Sequence, residues 1–213
     1  MHYVMSDIHG EIDKYMAMLR LIDFSPADTL YIIGDVIDRC PSGVDILLDI
    51  MSRSNVTMLM GNHEEMCLDT LGPRSVYGSR QLWQSNGGSP TRRELLYMRT
   101  PQERHKILRF LDGLPRHLEM NVNGQAFYLV HGYPTEDDDG PLWERPNPDG
   151  PRPFPDKITI VGHTPTCYLT KQEGHFRIWH GDGIIDIDCG CGNKTEMRRL
   201  ACLRLEDFAE FYT

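Results

Sequence analysis

Short apolar runs alternate with amphipathic segments along the first third of the chain. Three of these runs are rich in β-branched and large apolar residues and are predicted to be strands: 2–5, 30–33 and 56–60. Between and after them, apolar residues recur every three or four positions, which predicts helices with one buried face. These helices cover 12–22, 42–51 and about 61–71. Ser42, with Asp45 three residues later, is expected to cap the second helix.

The pattern is less regular after the third helix. Glycine and proline interrupt the chain around Trp83, and one short helical piece is predicted near Leu95 before a clear helix at 101–111. We expect 72–115 to be a helical excursion over one face of a single domain that spans 1–213.

A β-hairpin is the clearest signal in the second half of the chain. Asn123-Gly124, which suits a type I′ turn, separates apolar runs at 116–122 and 125–130. Residues 133–155 are rich in Pro, Asp and Gly and are predicted to form a long loop. Further strands are predicted at 157–161, 175–179, 184–187 and 199–205. This order favours an α/β sandwich, in which helices flank two mixed β-sheets.

Composition and charge limit the classes of function. The 213 residues are 40% hydrophobic and 25% charged, as in an ordinary globular protein. No apolar run approaches the roughly 18 residues of a membrane span, and polar residues interrupt the N-terminus before a signal sequence could form. We therefore expect a cytoplasmic protein without a membrane partner. The formal net charge of -9 argues against a nucleic-acid partner, because such binding depends on clustered Lys and Arg.

Polar residues cluster where the 30–33 run ends, in the hexapeptide Gly34-Asp35-Val36-Ile37-Asp38-Arg39. A carboxylate has two oxygens, so Asp35 could bridge two cations about 3.5–4 Å apart. Asp38 could orient a histidine, and Arg39 could hold an anion in its guanidinium fork. For this hexapeptide alone, a surface turn with a local ion pair is the simpler interpretation.

The arrangement recurs at four other strand ends, which changes the interpretation. These clusters are Asp7 with His9, Asn62 with His63, His131, and His163. Loops at the carboxyl ends of strands are where the ligand sites of α/β proteins collect. One histidine after a strand is usually structural, but five clusters that each adjoin a glycine favour metal binding.

Together these motifs resemble the ordered signature of the calcineurin-like metallophosphoesterases, in particular the phosphoprotein phosphatases of the compact bacterial and bacteriophage-lambda type. The motifs are Asp7-Ile8-His9-Gly10, Gly34-Asp35-Val36-Ile37-Asp38-Arg39, Gly61-Asn62-His63-Glu64, His131-Gly132 and Gly162-His163-Thr164. Two further features of that type are Trp83…Asn86-Gly87-Gly88 and Trp143-Glu144-Arg145. The resemblance extends from Asp7 to about Gly190.

The resemblance implies a centre of two divalent metal ions. The implied ligands are Asp7, His9 and Asp35 for one ion, and Asp35 again with Asn62, His131 and His163 for the other. Carboxylate, carboxamide and imidazole donors without a thiolate suit Mn²⁺ best, although Fe²⁺ or Zn²⁺ would also fit.

The resemblance also implies hydrolysis of phosphate monoesters, namely phosphoserine, phosphothreonine and as a further option phosphotyrosine in proteins. A hydroxide shared by the two ions would attack phosphorus directly. His63 would protonate the departing alkoxide and would be oriented by Asp38. Arg39 and Arg145, with a contribution from Asn62, would bind the phosphoryl group.

Two other functions stay open at this stage. Relatives with the same metal motifs hydrolyse dinucleoside polyphosphates such as diadenosine tetraphosphate, although the complete Asp38-Arg39 pair favours the monoesterase. A non-catalytic metal-binding module of the same fold is the second alternative. His63 argues against it, because a scaffold needs no leaving-group acid.

The sequence departs from the family pattern in a few places. Ser6 stands where the first motif usually has glycine, and Asp188-Cys189-Gly190 stands where many relatives have Asp-Thr-Gly. A thiol near the site leads to the hypothesis that Cys189 or Cys191 is redox-sensitive. The six cysteines are otherwise scattered, and we expect free thiols rather than a structural zinc site or disulfides.

Overall fold

The computed structural model describes residues 1–73, 76–137 and 139–213. The strands in these ranges are β1 (His2–Met5), β2 (Thr29–Ile32), β3 (Val56–Met58), β4 (His117–Val122), β5 (Gln125–Val130), β6 (Ile158–Val161), β7 (Trp179–Gly181), β8 (Ile184–Asp186), β9 (Ala201–Arg204) and β10 (Glu210–Tyr212). The helices are α1 (Ile12–Leu21), α2 (Gly43–Ser52), α3 (Asn62–Leu71), α4 (Ser79–Ser85), α5 (Ser89–Tyr97), α6 (Pro101–Asp112), α7 (Gly140–Trp143) and α8 (Thr166–Leu169).

The strands form two five-stranded mixed sheets. The first has the order β10-β9-β1-β2-β3, in which β1, β2 and β3 are parallel, β9 is antiparallel to β1, and β10 is antiparallel to β9. The second has the order β4-β5-β6-β8-β7, with β5, β6 and β8 parallel and an antiparallel strand at each edge. The predicted α/β sandwich of two mixed sheets is therefore confirmed.

Successive side chains of the central strands enter two different apolar layers. In β1, Tyr3 and Met5 pack towards the helices. Val4 points the other way, into a layer between the sheets that includes Leu129 and Ile160 of the second sheet. Because both faces of the strand are covered, it appears in the sequence as a continuous apolar run.

Several local predictions are confirmed in detail. The helices expected in the first third and at 101–111 are α1, α2, α3 and α6. The hairpin turn has φ of +51° at Asn123 and +86° at Gly124, the left-handed values that a type I′ turn requires. Ser42 does occupy the N-cap position of α2, but its side chain makes no capping hydrogen bond, so that part of the prediction was wrong. Each helix in the described residues falls short of the length and apolarity that crossing a bilayer demands.

Other predictions were wrong because packing, rather than strand pairing, produced the pattern. Residues 175–178 alternate in burial but are not in a strand, and the N–H of Ile178 donates to the Tyr212 hydroxyl at 3.2 Å. The run at 56–60 leaves the sheet after Met58, since the N–H of Met60 donates to a loop carbonyl.

Some elements were not anticipated. Strand β10 was missed, and Trp143 ends the short helix α7 rather than lying in an irregular loop. The segment 72–100 contains two helices, α4 and α5, where one short piece was expected. That 72–115 is an excursion from a single domain of 1–213 stays a prediction.

Candidate metal centre

Polar side chains from both sheets meet beyond the carboxyl ends of parallel strands. They follow β1 (Asp7, His9), β2 (Asp35), β3 (Asn62, His63), β5 (His131) and β6 (His163). His163 is partly exposed and the others are buried. The backbone N–H of His163 donates to Asp7 Oδ2 at 3.0 Å, which joins the two sheets directly at the site. The structure therefore brings all the predicted metal ligands together.

The loops that carry these side chains have an unusual backbone. Non-glycine residues with φ between +49° and +73° in these loops are Asp7, His9, Asp35, Asp38, Arg39 and His163. Each such residue costs roughly 1–3 kcal/mol and persists only where the surrounding structure fixes it. Backbone hydrogen bonds provide that support, for example from the N–H of His9 to the carbonyl of Asp35 at 2.9 Å.

Asp35 lies between two sets of imidazoles. Its Oδ1 is 3.3 Å from Nε2 of His131, and its Oδ2 is 3.6 Å from Nε2 of His9. Nε2 of His63 is 3.7 Å from the same Oδ2. Two groups offer ligand atoms within 4.8 Å of one another: His9 with Asp35 and His63, and Asp35 with His131 and His163. The geometry thus contains two adjacent groups that could each hold a metal ion and that share one carboxylate.

The donor atoms fit cations because hydrogen-bond acceptors face one another. The amide oxygen of Asn62 faces only acceptors, including Nε2 of His131 at 3.0 Å and Nδ1 of His163 at 3.2 Å. Nδ1 of His131 and of His9 each face a backbone carbonyl, at 2.8 and 3.0 Å, so a neutral ring that donates its Nδ1–H there offers a lone pair at the inward Nε2. The buried Nε2 of His9 has no hydrogen-bond partner, and Asp7 Oδ1 lies 3.8 Å from it.

The electrostatics of the site demand positive charge. Burial would lower the pKa of His131, but the Asp35 carboxylate outweighs burial and raises that pKa to about 10. Burial would raise the pKa of Asp35, but His131 and His63 hold it well below its usual range. Without metal, a proton on His131 therefore supplies the positive charge that a divalent ion would provide.

Hydrogen bonding distinguishes His63 from the predicted ligand His9. Its Nδ1 is 2.7 Å from Asp38 Oδ2, and its Nε2 is 3.4 Å from Nη2 of Arg39. The guanidinium beside Nε2 disfavours a metal ion at that nitrogen, and its charge also lowers the pKa of the ring. Burial would lower the pKa of His63, but the Asp35 and Asp38 carboxylates outweigh it and raise that pKa. The ring is thus suited to carry and donate a proton.

Asp38 is held by a tryptophan to which the sequence assigned no role. Trp83, fully buried in α4, donates its indole N–H to Asp38 Oδ2 at 2.6 Å. Gly88 permits this approach, because a Cβ there would lie 2.4 Å from the indole Cδ1. The N–H of Arg39 donates to the carbonyl of Gly87 at 3.0 Å. The segment from Trp83 to Gly88 therefore packs over the turn that carries Asp38 and Arg39.

Glu64 is a second residue whose role only the structure reveals. Its carboxylate is fully buried and bridges the β2 and β3 loops. It accepts backbone N–H groups at 2.8–3.3 Å, from Asp35, Val36, Ile37 and Gly61. Burial, followed by the charge of Asp35, raises the pKa of Glu64 to about 7. Glu64 therefore fixes the loop that presents the shared carboxylate.

The two predicted anion-binding arginines lie near different histidines of the site, Arg39 beside His63 and Arg145 near His163. Arg39 is exposed above His63, and Arg145 is exposed on a cleft of about 820 Å³ just beyond α7. Besides burial and a neighbouring histidine, the charge of Arg145 lowers the pKa of His163, so its guanidinium is near the metal-binding group. Asp137 and Asp139 line the same cleft, while position 138 lies outside the described residues.

The cysteines near the site are poorly placed for redox chemistry. Cys189 and Cys191 are only 2% and 1% exposed. Burial raises the pKa of both thiols, so neither is a thiolate at neutral pH. Buried, protonated thiols react slowly, which argues against the expected redox sensitivity.

Comparison with known proteins places this site in a family. The calcineurin-like phosphoesterase family profile matches residues 3–188. The chain belongs to this family. The matched residues include both groups of possible metal ligands described above.

Individual relatives of this calcineurin-like phosphoesterase differ in substrate. A symmetrical bis(5'-nucleosyl)-tetraphosphatase from Enterobacter sp. (strain 638) is 38% identical over 64 residues, which are 29% of this chain and 23% of the relative. The match thus spans about a quarter of that relative's length.

Solved structures show the same fold at lower identity. A protein inferred to be a diadenosine tetraphosphatase has a TM-score of 0.67 at 15% identity, over 100% of this chain and 92% of its own. A serine/threonine phosphatase from Saccharomyces cerevisiae has a TM-score of 0.63 at 12% identity, over 100% of this chain and 78% of its own. At such identities the likeness concerns the fold alone.

Proposed function

We propose that the protein hydrolyses phosphate monoesters, with phosphoserine and phosphothreonine in proteins as main substrates and phosphotyrosine as a further one. The observation that carries this proposal is the His63–Asp38 pair beside the metal-binding groups. The alkoxide of a serine or threonine is a strong base that leaves slowly without a proton. The Asp35 and Asp38 carboxylates raise the pKa of His63 and so favour its protonated form, and Asp38 holds the ring in place.

The proposed metal ligands are those expected from the sequence. They are Asp7, His9 and Asp35 for one ion, and Asp35, Asn62, His131 and His163 for the other. Once bound, two divalent ions would supply positive charge for the phosphoryl oxygens and lower the pKa of water in the site. The thiolate-free donor set favours Mn²⁺, with Fe²⁺ and Zn²⁺ as other candidates. Free thiols at all six cysteines support a reducing, cytoplasmic location.

The remaining side chains act on the substrate. Arg39 and Arg145 bind the phosphoryl oxygens, and Asn62, which contacts His131, contributes at the metal end of the site. The Nε2–H of His63 donates its proton to the departing oxygen while Asp38 accepts the Nδ1–H throughout.

Hydrolysis of dinucleoside polyphosphates is the second candidate, because the Enterobacter relative carries that activity in its name. Two physical arguments place it second. A nucleoside diphosphate is a weaker base than an alkoxide and needs less help from an acid such as His63. The carboxylates of Asp137 and Asp139 beside the cleft also repel a chain of four phosphates.

A side-by-side assay tests the proposal. The Mn²⁺-loaded protein is offered a phosphoserine peptide, a phosphotyrosine peptide and diadenosine tetraphosphate, and kcat/KM is measured for each. We expect the phosphoserine peptide to rank first and chelator-treated protein to be inactive. A higher kcat/KM for the dinucleotide would make the second candidate the main activity. Turnover of none of the three would favour the non-catalytic module.

A further inference from the structure

The position of Arg145 depends on the segment of chain that precedes it rather than on contacts of its own side chain. The residue is exposed, and among the described residues its guanidinium makes no ion pair. An arginine side chain free to rotate loses about 2 kcal/mol of conformational entropy when it binds an anion. The segment just before it, by contrast, is tightly held.

Helix α7 is seated directly on the loop that follows β5. The N–H of Gly132 donates to the carbonyl of Pro141 at 2.7 Å, and Leu142 is fully buried. A Cβ on Gly132 would lie 2.9 Å from the carbonyl oxygen of Glu144, so the two backbones are in contact. The end of α7 is therefore fixed relative to the metal-binding histidine that precedes Gly132.

The last residue of α7 adds a contact to a different element. The indole N–H of Trp143 donates to Glu65 Oε2 at 3.2 Å, on helix α3. The other carboxylate oxygen of Glu65 accepts from Arg116 Nη2 at 2.6 Å. The Trp143 ring also meets the ring of His163 edge to face, with 6.1 Å between ring centroids and an interplanar angle of 79°. Trp143 thus connects α3 with the cleft.

We propose that the Glu65–Trp143 hydrogen bond is a latch that positions Arg145 against the phosphoryl group of the substrate. Arg145 is two residues beyond Trp143, so the direction of the chain at Trp143 sets where the guanidinium can reach. Glu65 and Trp143 are positioning residues, since they act through Arg145. The latch rests on the proposed function, because it presumes an anion bound between Arg39 and Arg145.

The latch predicts weaker anion binding with little change in turnover. Trp143→Phe keeps an aromatic ring against His163 but removes the N–H donor. We expect about a 3- to 10-fold rise in KM for p-nitrophenyl phosphate and in the Kd of inorganic phosphate, with kcat nearly unchanged. Glu65→Gln is the second variant, because its amide can still accept the indole proton, and it should show a smaller effect. Trp179→Phe, which changes an indole on β7, is the control and should change neither constant.

A double-variant cycle gives the decisive result. If the latch acts only through Arg145, Trp143→Phe should add nothing to the loss in Arg145→Ala protein. Additive losses, or phosphate binding by Trp143→Phe equal to that of the unaltered protein, would overturn the latch. Phosphate binding is measured by calorimetry on metal-loaded protein, so the test holds even if monoesters prove not to be the substrates. Should Trp143→Phe fail to fold, the same cycle with Glu65→Ala replaces it.

Discussion

At the scale of single residues, the position of one proton separates His63 from the other histidines of the site. His63→Asn removes that proton, and we expect phosphoserine hydrolysis to slow about 10²–10⁴-fold. An aryl phosphate, whose leaving group needs little protonation, should lose much less. The measurement is kcat on both substrates at saturating metal, and equal losses would remove His63 from the acid role. His180→Asn, at an exposed residue paired with Glu210, should leave both rates intact.

The buried carboxylate of Glu64 leads to a second prediction at this scale. Glu64→Gln replaces one acceptor oxygen with an amide that opposes a backbone N–H. We expect Mn²⁺ affinity to fall about 10- to 100-fold, as for other partners that orient metal ligands. Competition with a chromophoric chelator measures this affinity. An unchanged affinity would show that the loop holds Asp35 without Glu64, and the surface variant Glu119→Gln provides the baseline.

The residues that the sequence identified and those it missed differ in one physical respect. Asp7, Asp35 and His131 follow apolar runs, so their place at strand ends could be derived from local pattern alone. Glu64 contacts Asp35, 29 positions away, and Trp83 contacts Asp38, 45 positions away. A local sequence pattern cannot show contacts between residues so far apart in the chain.

At the scale of elements, α4 and α5 pack over the Asp38 turn through Trp83 and Thr91, and we expect this packing to affect catalysis. Gly88→Ala would push a methyl group into the Trp83 indole and displace Asp38. A shift of about 1 Å in such a pair can cost up to about 100-fold, so we expect kcat to fall by tens of fold. Steady-state kinetics with phosphoserine peptide checks this.

A glycine in the hairpin serves as the matched control for that prediction. Gly124 has φ of +86° and open space around it, and β5 separates it from His131 of the site. Gly124→Ala should cost about 1–2 kcal/mol of stability through backbone strain and leave kcat unchanged. If kcat were also unchanged in Gly88→Ala, the Trp83 indole would not be needed to position Asp38 and His63.

Elements were predictable wherever burial and periodicity coincided. The hairpin followed from Asn123-Gly124 because that dipeptide accepts two left-handed φ values. Residues 175–178 were wrongly predicted to be in a strand. Buried Phe176 and Ile178 alternate with polar neighbours there, although the chain turns. Burial without a hydrogen-bonded neighbour strand gives the same pattern as a strand.

At the scale of the whole molecule, a buried acid limits stability as pH rises. Asp186 is fully buried, one of its oxygens has no partner, and burial together with Asp188 raises its pKa well above the usual range. The folded state therefore keeps the proton while the unfolded state loses it above about pH 4, so rising pH favours unfolding.

Asp186→Asn should remove this penalty, because an amide cannot ionise. We expect the variant to be more stable by at least about 1 kcal/mol at pH 8 and by much less at pH 4. Urea unfolding of chelator-treated protein at both pH values measures the difference. A gain that does not depend on pH would contradict the assignment, and the exposed Asp182→Asn should show no gain.

The overall architecture could be predicted from the sequence. Strands β1, β2 and β3 are neighbours in the same order as in the chain, and the resemblance of the motifs to a family implied the remaining arrangement. The position of one sheet relative to the other could not be predicted, because it depends on how Val4, Leu129 and Ile160 pack together. No periodicity records which residues of separate sheets will touch.

The proposed metal ligands come from both sheets of the sandwich: Asp7, Asp35 and Asn62 follow strands of one sheet, and His131 and His163 follow strands of the other. The group of ligands therefore spans the seam between the sheets, that is, the apolar layer in which the two sheets pack together. Any slippage along that seam by a fraction of an ångström would alter the spacing between the cations, although no ligand had changed. The packing of methyl groups deep in the interior, remote from the substrate, therefore sets the distances between the proposed metal ligands.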